Sequence, residues 1–225
     1  IIRVGADFDR TMQGVASRFT EPIERGSEAF NSLEQAAMRT GRETEFTASQ
    51  SADALAALAR AGFSAEQAVA ALRPTVDLAT TAEVDLGTAA GMAADALGQW
   101  GLMAENSAEL GANLARVNDV LARASSSANL SVGDLSEGFR DAAPAAMRIG
   151  VSLEQTTAML DALAGGGIRG AQAGTALRIA FGRLAAPPSE ARSALRRLHV
   201  DLEDGQGNVR NMVDILGDLQ TATEG

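Results

Sequence analysis

The chain has 225 residues, of which 46% are hydrophobic, 21% charged and only 4% aromatic, enough apolar surface for a packed core and too much for a disordered polypeptide. All nineteen basic residues are arginine, and against 29 acidic residues they leave a net charge of −10, a balance that repels phosphate backbones and disfavours nonspecific nucleic-acid binding. Cysteine is absent, which removes disulfides, thiolate metal sites and cysteine nucleophiles and leaves the redox compartment open.

From the amino terminus, the first residue is Ile rather than Met, which suggests a fragment, a processed product or the ordered part of a longer chain. No charged-then-apolar leader follows it. The stretch from Phe8 to Ala37 has a long, rather polar helical pattern with Pro22 as an early interruption, and reads as a connector ending near residue 42. Apolar residues then recur at helical spacing at Ala54, Leu55, Leu58 and Ala61, at Met159, Leu160 and Leu163, and at Leu195, Leu198 and Leu202. Helix entrances are marked by a hydroxyl residue with Gln or Asp three positions on: Thr47 with Gln50, Ser64 with Gln67, Ser131 with Asp134, and Ser152 with Gln155. Each pair can satisfy backbone N–H groups that the first turn leaves without partners. Stops are expected at Gly41, Gly62, Gly101, Gly150, the Gly165–Gly167 run and Pro187–Pro188. A polar turn over Asp201–Asn208 precedes a last helix at Met212–Leu219. Apolar runs are broken by Glu, Asp or Arg well before the roughly 20 residues that a membrane-spanning helix needs.

These signals predict an all-α fold of about nine or ten helices joined by short loops. It is a multi-helix bundle of short Ala-rich helices with a pseudo-duplicated unit, preceded by a longer N-terminal connector helix. The duplication is read from Phe46-Thr-Ala-Ser-Gln with Gly62-Phe63-Ser64, echoed by Leu130-Ser-Val-Gly-Asp with Gly150-Val151-Ser152, copies about 84 to 88 residues apart. The expected organisation is a helical connector at 1–42 and a core domain at 43–225 containing pseudo-repeats at about 46–100 and 130–185.

Residues that suggest chemistry do so weakly. Gly165-Gly166-Gly167-Ile168-Arg169-Gly170 matches the dinucleotide pattern G-x-G-x-x-G letter for letter, but that motif needs a strand feeding the turn. Ser152 to Ala164 reads as a helix, so a turn between helices is expected, and Ala173-Gly174-Thr175-Ala176 downstream allows two helices to approach closely. His199 is the only histidine, and no Ser stands in a G-x-S-x-G turn to accompany it. Glu105, Glu109 and Glu154 are candidates for a hydrolytic carboxylate pair by residue type alone. A calcium loop from Asp201 fails, because its sixth and twelfth positions are Gln206 and Met212. No catalytic, cofactor-binding or metal-ligating residue is therefore assigned, no cofactor is expected, and the chain is read as not an enzyme. Trp100 reads as a packing anchor. Charge is unevenly placed: no basic residue lies between Pro74 and Ala115, while Arg178, Arg183, Arg192, Arg196 and Arg197 gather around a single Glu190. Solvated helix surface explains such a split, and opposed patches can also serve subunit contacts.

Several separated blocks, in order, resemble the tape measure proteins of tailed phages, specifically the TP901-type core region. The blocks are Phe46–Leu55, Leu58–Ala68, Ala124–Val132, Gly150–Glu154, Gly170–Arg178 and Leu184–Pro187, closed by Asp204–Ile215. The resemblance spans about Leu33 to Leu216. It implies a structural protein of tail tube assembly and length determination, made in the host cytoplasm, held in the tail lumen of the virion and ejected at infection. It implies tail tube and tail tip or baseplate proteins as partners, self-association in the lumen, possible host membrane contact at ejection, and no specific nucleic acid. The alternatives are a membrane-active ejection protein assisting DNA passage and, further off, a peptidoglycan hydrolase. As one continuous helix, 225 residues would span about 340 Å. Glycine and proline punctuation forbids such a rod, so measuring is expected to reside in sequence outside this core.

Overall fold

Alanine-rich segments with a capping residue at their entrance become helices throughout the computed structural model, which describes residues 2–126, 130–205 and 210–224. Among the described residues the fold is all-α, with eleven helices and no strand. Two units divide the chain, residues 1–126 and 127–225. The first contains α1 (Ile2–Ala16), α2 (Glu28–Glu43), α3 (Ala48–Arg60), α4 (Ala65–Ala82), α5 (Leu86–Gln99) and α6 (Ser107–Ser126). The second contains α7 (Val132–Arg148), α8 (Leu153–Gly165), α9 (Gly170–Ala185), α10 (Ser189–Arg197) and α11 (Met212–Glu224).

All four hydroxyl pairs form capping boxes, at the entrances of α3, α4, α7 and α8. At α3, Gln50 N–H donates to Thr47 Oγ1 at 3.2 Å while Thr47 N–H donates to Gln50 Oε1 at 2.8 Å. Such a reciprocal cap is worth about 1 kcal/mol and closes donors that would otherwise need water. The exits share a second device. A residue in the left-handed region, Gly62, Gly101, Gly150 or Gly167, is followed by an apolar residue whose N–H donates to the carbonyl five positions back. Phe63 bonds Leu58 at 3.1 Å, Leu102 bonds Leu97 at 2.8 Å, Val151 bonds Ala146 at 3.0 Å and Ile168 bonds Leu163 at 2.9 Å. This geometry satisfies the last carbonyls and turns an apolar side chain back toward the helix it leaves. Glu83 (φ 54°) and His199 (φ 55°) hold the same position without being glycine, and Val84 and Val200 complete the bond.

Gly41 is a correction. It does not end α2, which runs on to Glu43. A Cβ at residue 41 would lie 2.6 Å from the Ala48 backbone nitrogen, so the glycine admits the start of α3 against the side of α2.

In the first unit, α3 packs on α5, α2, α1 and α4, and α4 packs on α6, α2 and α5. The amino-terminal stretch, interrupted around Pro22, forms α1 and α2; α1 lies on α3, and α2 lies on α3 and α4. Leu33, Leu55, Leu58, Phe63, Leu78, Leu86, Leu97, Leu110 and Leu114 are fully buried between these helices. Trp100, at the end of α5, is buried too. In the second unit α7 packs on α9 and α8, and α8 on α9, around Leu135, Phe139, Leu160 and Phe181. No residue of α10 is buried.

The α7–α9 crossing is a glycine contact. A Cβ on Gly174 would collide with the carbonyl oxygen of Gly138, and would lie 2.9 Å from the Gly138 Cα and 3.0 Å from the Asp141 Cβ. The small-residue run Ala173–Ala176 thus brings two helix backbones together, as its composition suggested.

Candidate functional site

The conspicuous residues of the sequence sit at helix ends rather than converging in a cleft. Gly165–Gly170 is the link from α8 to α9, entered from a helix. A phosphate cradle of the dinucleotide kind is therefore not built here, because no strand delivers the turn. His199 is exposed at the exit of α10, its N–H donating to the Arg196 carbonyl at 3.2 Å. Glu105 and Glu109 lie at the entrance of α6 in the first unit, and Glu154 lies in the first turn of α8 in the second. The segment from Asp201 holds no calcium geometry among its described residues. Instead Arg210 closes it, with Nη1 donating to the Asp201 carbonyl at 2.8 Å and pairing with Asp218 Oδ2 at 2.9 Å; residues 206–209 of the predicted turn lie outside the described residues. No group of three or more His, Cys, Asp or Glu side chains among the described residues could hold a metal ion.

Tertiary polar contacts are concentrated on helix entrances. The capping glutamines have a second task. Gln67 Nε2 donates to the carbonyls of Ala104 (3.2 Å) and Glu105 (3.1 Å), just ahead of α6. Gln155 Nε2 donates to Asn211 Oδ1 at 2.8 Å, just ahead of α11. Arg169 makes no side-chain cap for α9; Glu137, from α7, accepts from the Ala171 N–H at 3.4 Å, placing a carboxylate at the positive end of the helix dipole. Thr175 donates to Asp141 Oδ2 at 3.0 Å across the same pair of helices. These were invisible in the sequence because the partners are 34 to 56 residues apart.

Asp85 caps α5 and accepts from both the Thr88 hydroxyl and the Thr88 N–H. Those hydrogen bonds, the hydroxyl's first, hold its carboxyl below the ordinary carboxylate range.

A groove of about 700 Å³ opens in the first unit, lined by Phe19, Ile23 and Phe63 from the α1–α2 link and the α3–α4 turn, with Met103 across from them. Glu21 and Glu105 stand on its rim, both exposed to solvent. The groove is apolar with an acidic lip, which suits an amphipathic guest better than a glycan. In the second unit all five clustered arginines, Arg178, Arg183, Arg192, Arg196 and Arg197, are exposed. No helix among the described residues is long and apolar enough to cross a membrane.

Comparison with known proteins matches residues 34–225 to a family described as phage-related minor tail protein. A tape measure protein of Pneumococcus phage Dp-1 is 32% identical over 227 residues, covering all of this chain and 18% of the relative. A probable tape measure protein of Escherichia phage P2 is 30% identical over 204 residues, covering 90% of this chain and 24% of the relative. The chain thus spans about a fifth to a quarter of the length of these relatives. No solved structure matches. With a helical bundle whose polar groups serve its own joints, and with a family match over most of its length, the chain belongs to the phage-related minor tail protein family.

Proposed function

We propose that this chain is the core region of a phage tail tape measure protein, a non-enzymatic structural element acting in tail tube assembly and length determination. The observation that carries the proposal is the family match over residues 34–225 together with two relatives named as tape measure proteins. In this reading the chain is made in the host cytoplasm, lies in the tail lumen beside further copies of itself, meets the tube and the tail tip or baseplate, and leaves at infection. The helical architecture supports it in one respect: hydrogen-bonding side chains are used to end helices and tie them together, which is what a passive scaffold requires. The parallel helix orders α3–α4–α5 and α7–α8–α9, with matching capping boxes, support reading 46–100 and 130–185 as pseudo-repeats of one ancestral unit.

The test is in the assembled particle. A phage with this segment deleted in frame is expected to make no tails, or tails of altered length, by electron microscopy, and density for the chain is expected inside wild-type tails. Tails of normal length in the deletion phage would overturn the reading. Leakage of liposomes by the purified chain would favour the membrane-active alternative.

A further inference from the structure

The second unit carries a helix that the first has no counterpart for. In both units a capping glutamine ties the start of one helix to the residues just before a later one, Gln67 to the entrance of α6 and Gln155 to the entrance of α11. Between the preceding helix and that tied entrance, the first unit has only the link 100–106, whereas the second has 186–211 with α10 inside it. Within that extra segment Val200 is buried, but no residue of α10 is, and α10 is not neutral. Ala191, Ala194, Leu195 and Leu198 fall at i, i+3, i+4 and i+7, one apolar stripe, and Leu198 is 37% exposed. Arg192 and Arg197 flank the stripe and Arg196 lies opposite it, all exposed, and no carboxylate among the described residues pairs with them. Asp201 and Glu203 share a shallow pocket with Arg192 and Arg196 but form no ion pair with them.

An amphipathic basic helix fits an apolar groove with an acidic rim. This chain possesses such a groove: half-buried Ile23 and Met103, which is 40% exposed, present its apolar surface over the buried Phe19 and Phe63, and the exposed Glu21 and Glu105 line it as well. We propose that α10 of one copy seats in the first-unit groove of a second copy, its leucines against Ile23 and Met103, and Arg192 and Arg197 at its sides against the two glutamates. Donor and acceptor are different surfaces, so the contact is heterologous. Each copy carries one helix and one groove, so the contact closes by reciprocal exchange between two copies or passes on to further copies. This deepens the tail reading, from which it takes the presence of neighbouring copies, and it assigns a surface to their contact.

Sedimentation and light scattering of the purified 225-residue chain test it. At about 50 mM salt the weight-average mass is expected to rise with concentration, and at about 500 mM the apparent association is expected to weaken at least tenfold, since exposed charges are screened at that strength. The triple reversal Arg192→Glu, Arg196→Glu, Arg197→Glu is expected to abolish association with the helical circular dichroism unchanged, as is Glu21→Arg with Glu105→Arg. Mixing the two reversed proteins sets the reversed helix of one against the reversed groove of the other, and is expected to restore a mixed species. A chain monomeric at low salt, association indifferent to both reversals, or binding of α10 to anionic phosphatidylglycerol vesicles without self-association would each overturn the proposal. Absence of the chain from tails would overturn the tail reading while leaving a measured helix-in-groove contact standing.

Discussion

In each unit the first of three consecutive helices packs on the other two, α3 on α4 and α5, α7 on α8 and α9, but with different residues. Counting from their N-caps, Ala54 and Ala90 in α3 and α5 occupy the places of Gly138 and Gly174 in α7 and α9. Asp53 likewise occupies the place of Glu137. In the first unit the methyl groups of the two alanines are fully buried, and α1, α2 and α6 lie over the triad. In the second the methyls are gone and the backbones meet, while beyond the triad no residue of α10 is buried and Ile215 of α11 is. The first unit gains its stability from breadth of burial. The second relies on closeness at one point, and is correspondingly intolerant of added atoms there.

Substitution at that point should separate the units most strongly. Gly174→Ala puts a Cβ against immovable Gly138 backbone and is expected to cost about 3 kcal/mol, the upper end of overpacking. Hydrogen exchange should then rise across α7–α9 and stay unchanged across α3–α5. The reciprocal change Ala90→Gly should cost about 1 kcal/mol, chiefly helix propensity. Equal losses in the two units would break the contrast.

Gly41→Ala probes the cover itself, because its Cβ would press on the Ala48 backbone; about 2 kcal/mol is expected, read as a lowered urea midpoint and faster exchange in α2 and α3. Asp85→Ala should cost about 1 kcal/mol at pH 7 as a lost N-cap. Because the Asp85 carboxyl titrates below its unfolded value of about 3.9, its cap is fully present above about pH 4 and fades as the pH falls through the lower folded value. The wild-type and Asp85→Ala melts should therefore converge in acid. A gap that persists at pH 2 would show that the loss is not the carboxylate's. The smallest effect is expected from Glu83→Gly, which removes a left-handed non-glycine residue at φ 54°. Relief of that strain should stabilise the first unit by about a few tenths of a kcal/mol, read as a slightly higher melting temperature.

Helix entrances and exits were legible because their physics spans three to five residues. A hydroxyl at Ser64 and an amide at Gln67, or a glycine at Gly150 before Val151, specify a joint without help from the rest of the chain. Gly41 misled because a glycine near a helix end has two uses, a left-handed exit and room for a neighbour, and only the position of Ala48 distinguishes them. The Ala173–Ala176 run announced a close approach, but Gly138 as the partner did not follow from any local signal. The Glu137 cap on α9 and the Arg210 clamp on Asp201 were hidden for the same reason. As for the candidate surfaces, the arginine cluster could be read from the sequence, whereas the groove required Phe19, Phe63 and Met103 to be brought together from three separate turns.

The closed helix ends have a mechanical consequence. Since the capping boxes of α3, α4, α7 and α8 and the left-handed exits satisfy their backbone groups within a few residues, stretching the chain from one terminus would remove one such rod while leaving the next with its own ends intact. Resistance would then come in short increments, each set by the side-chain contacts of a single rod, so that the molecule yields in steps instead of rupturing as a block.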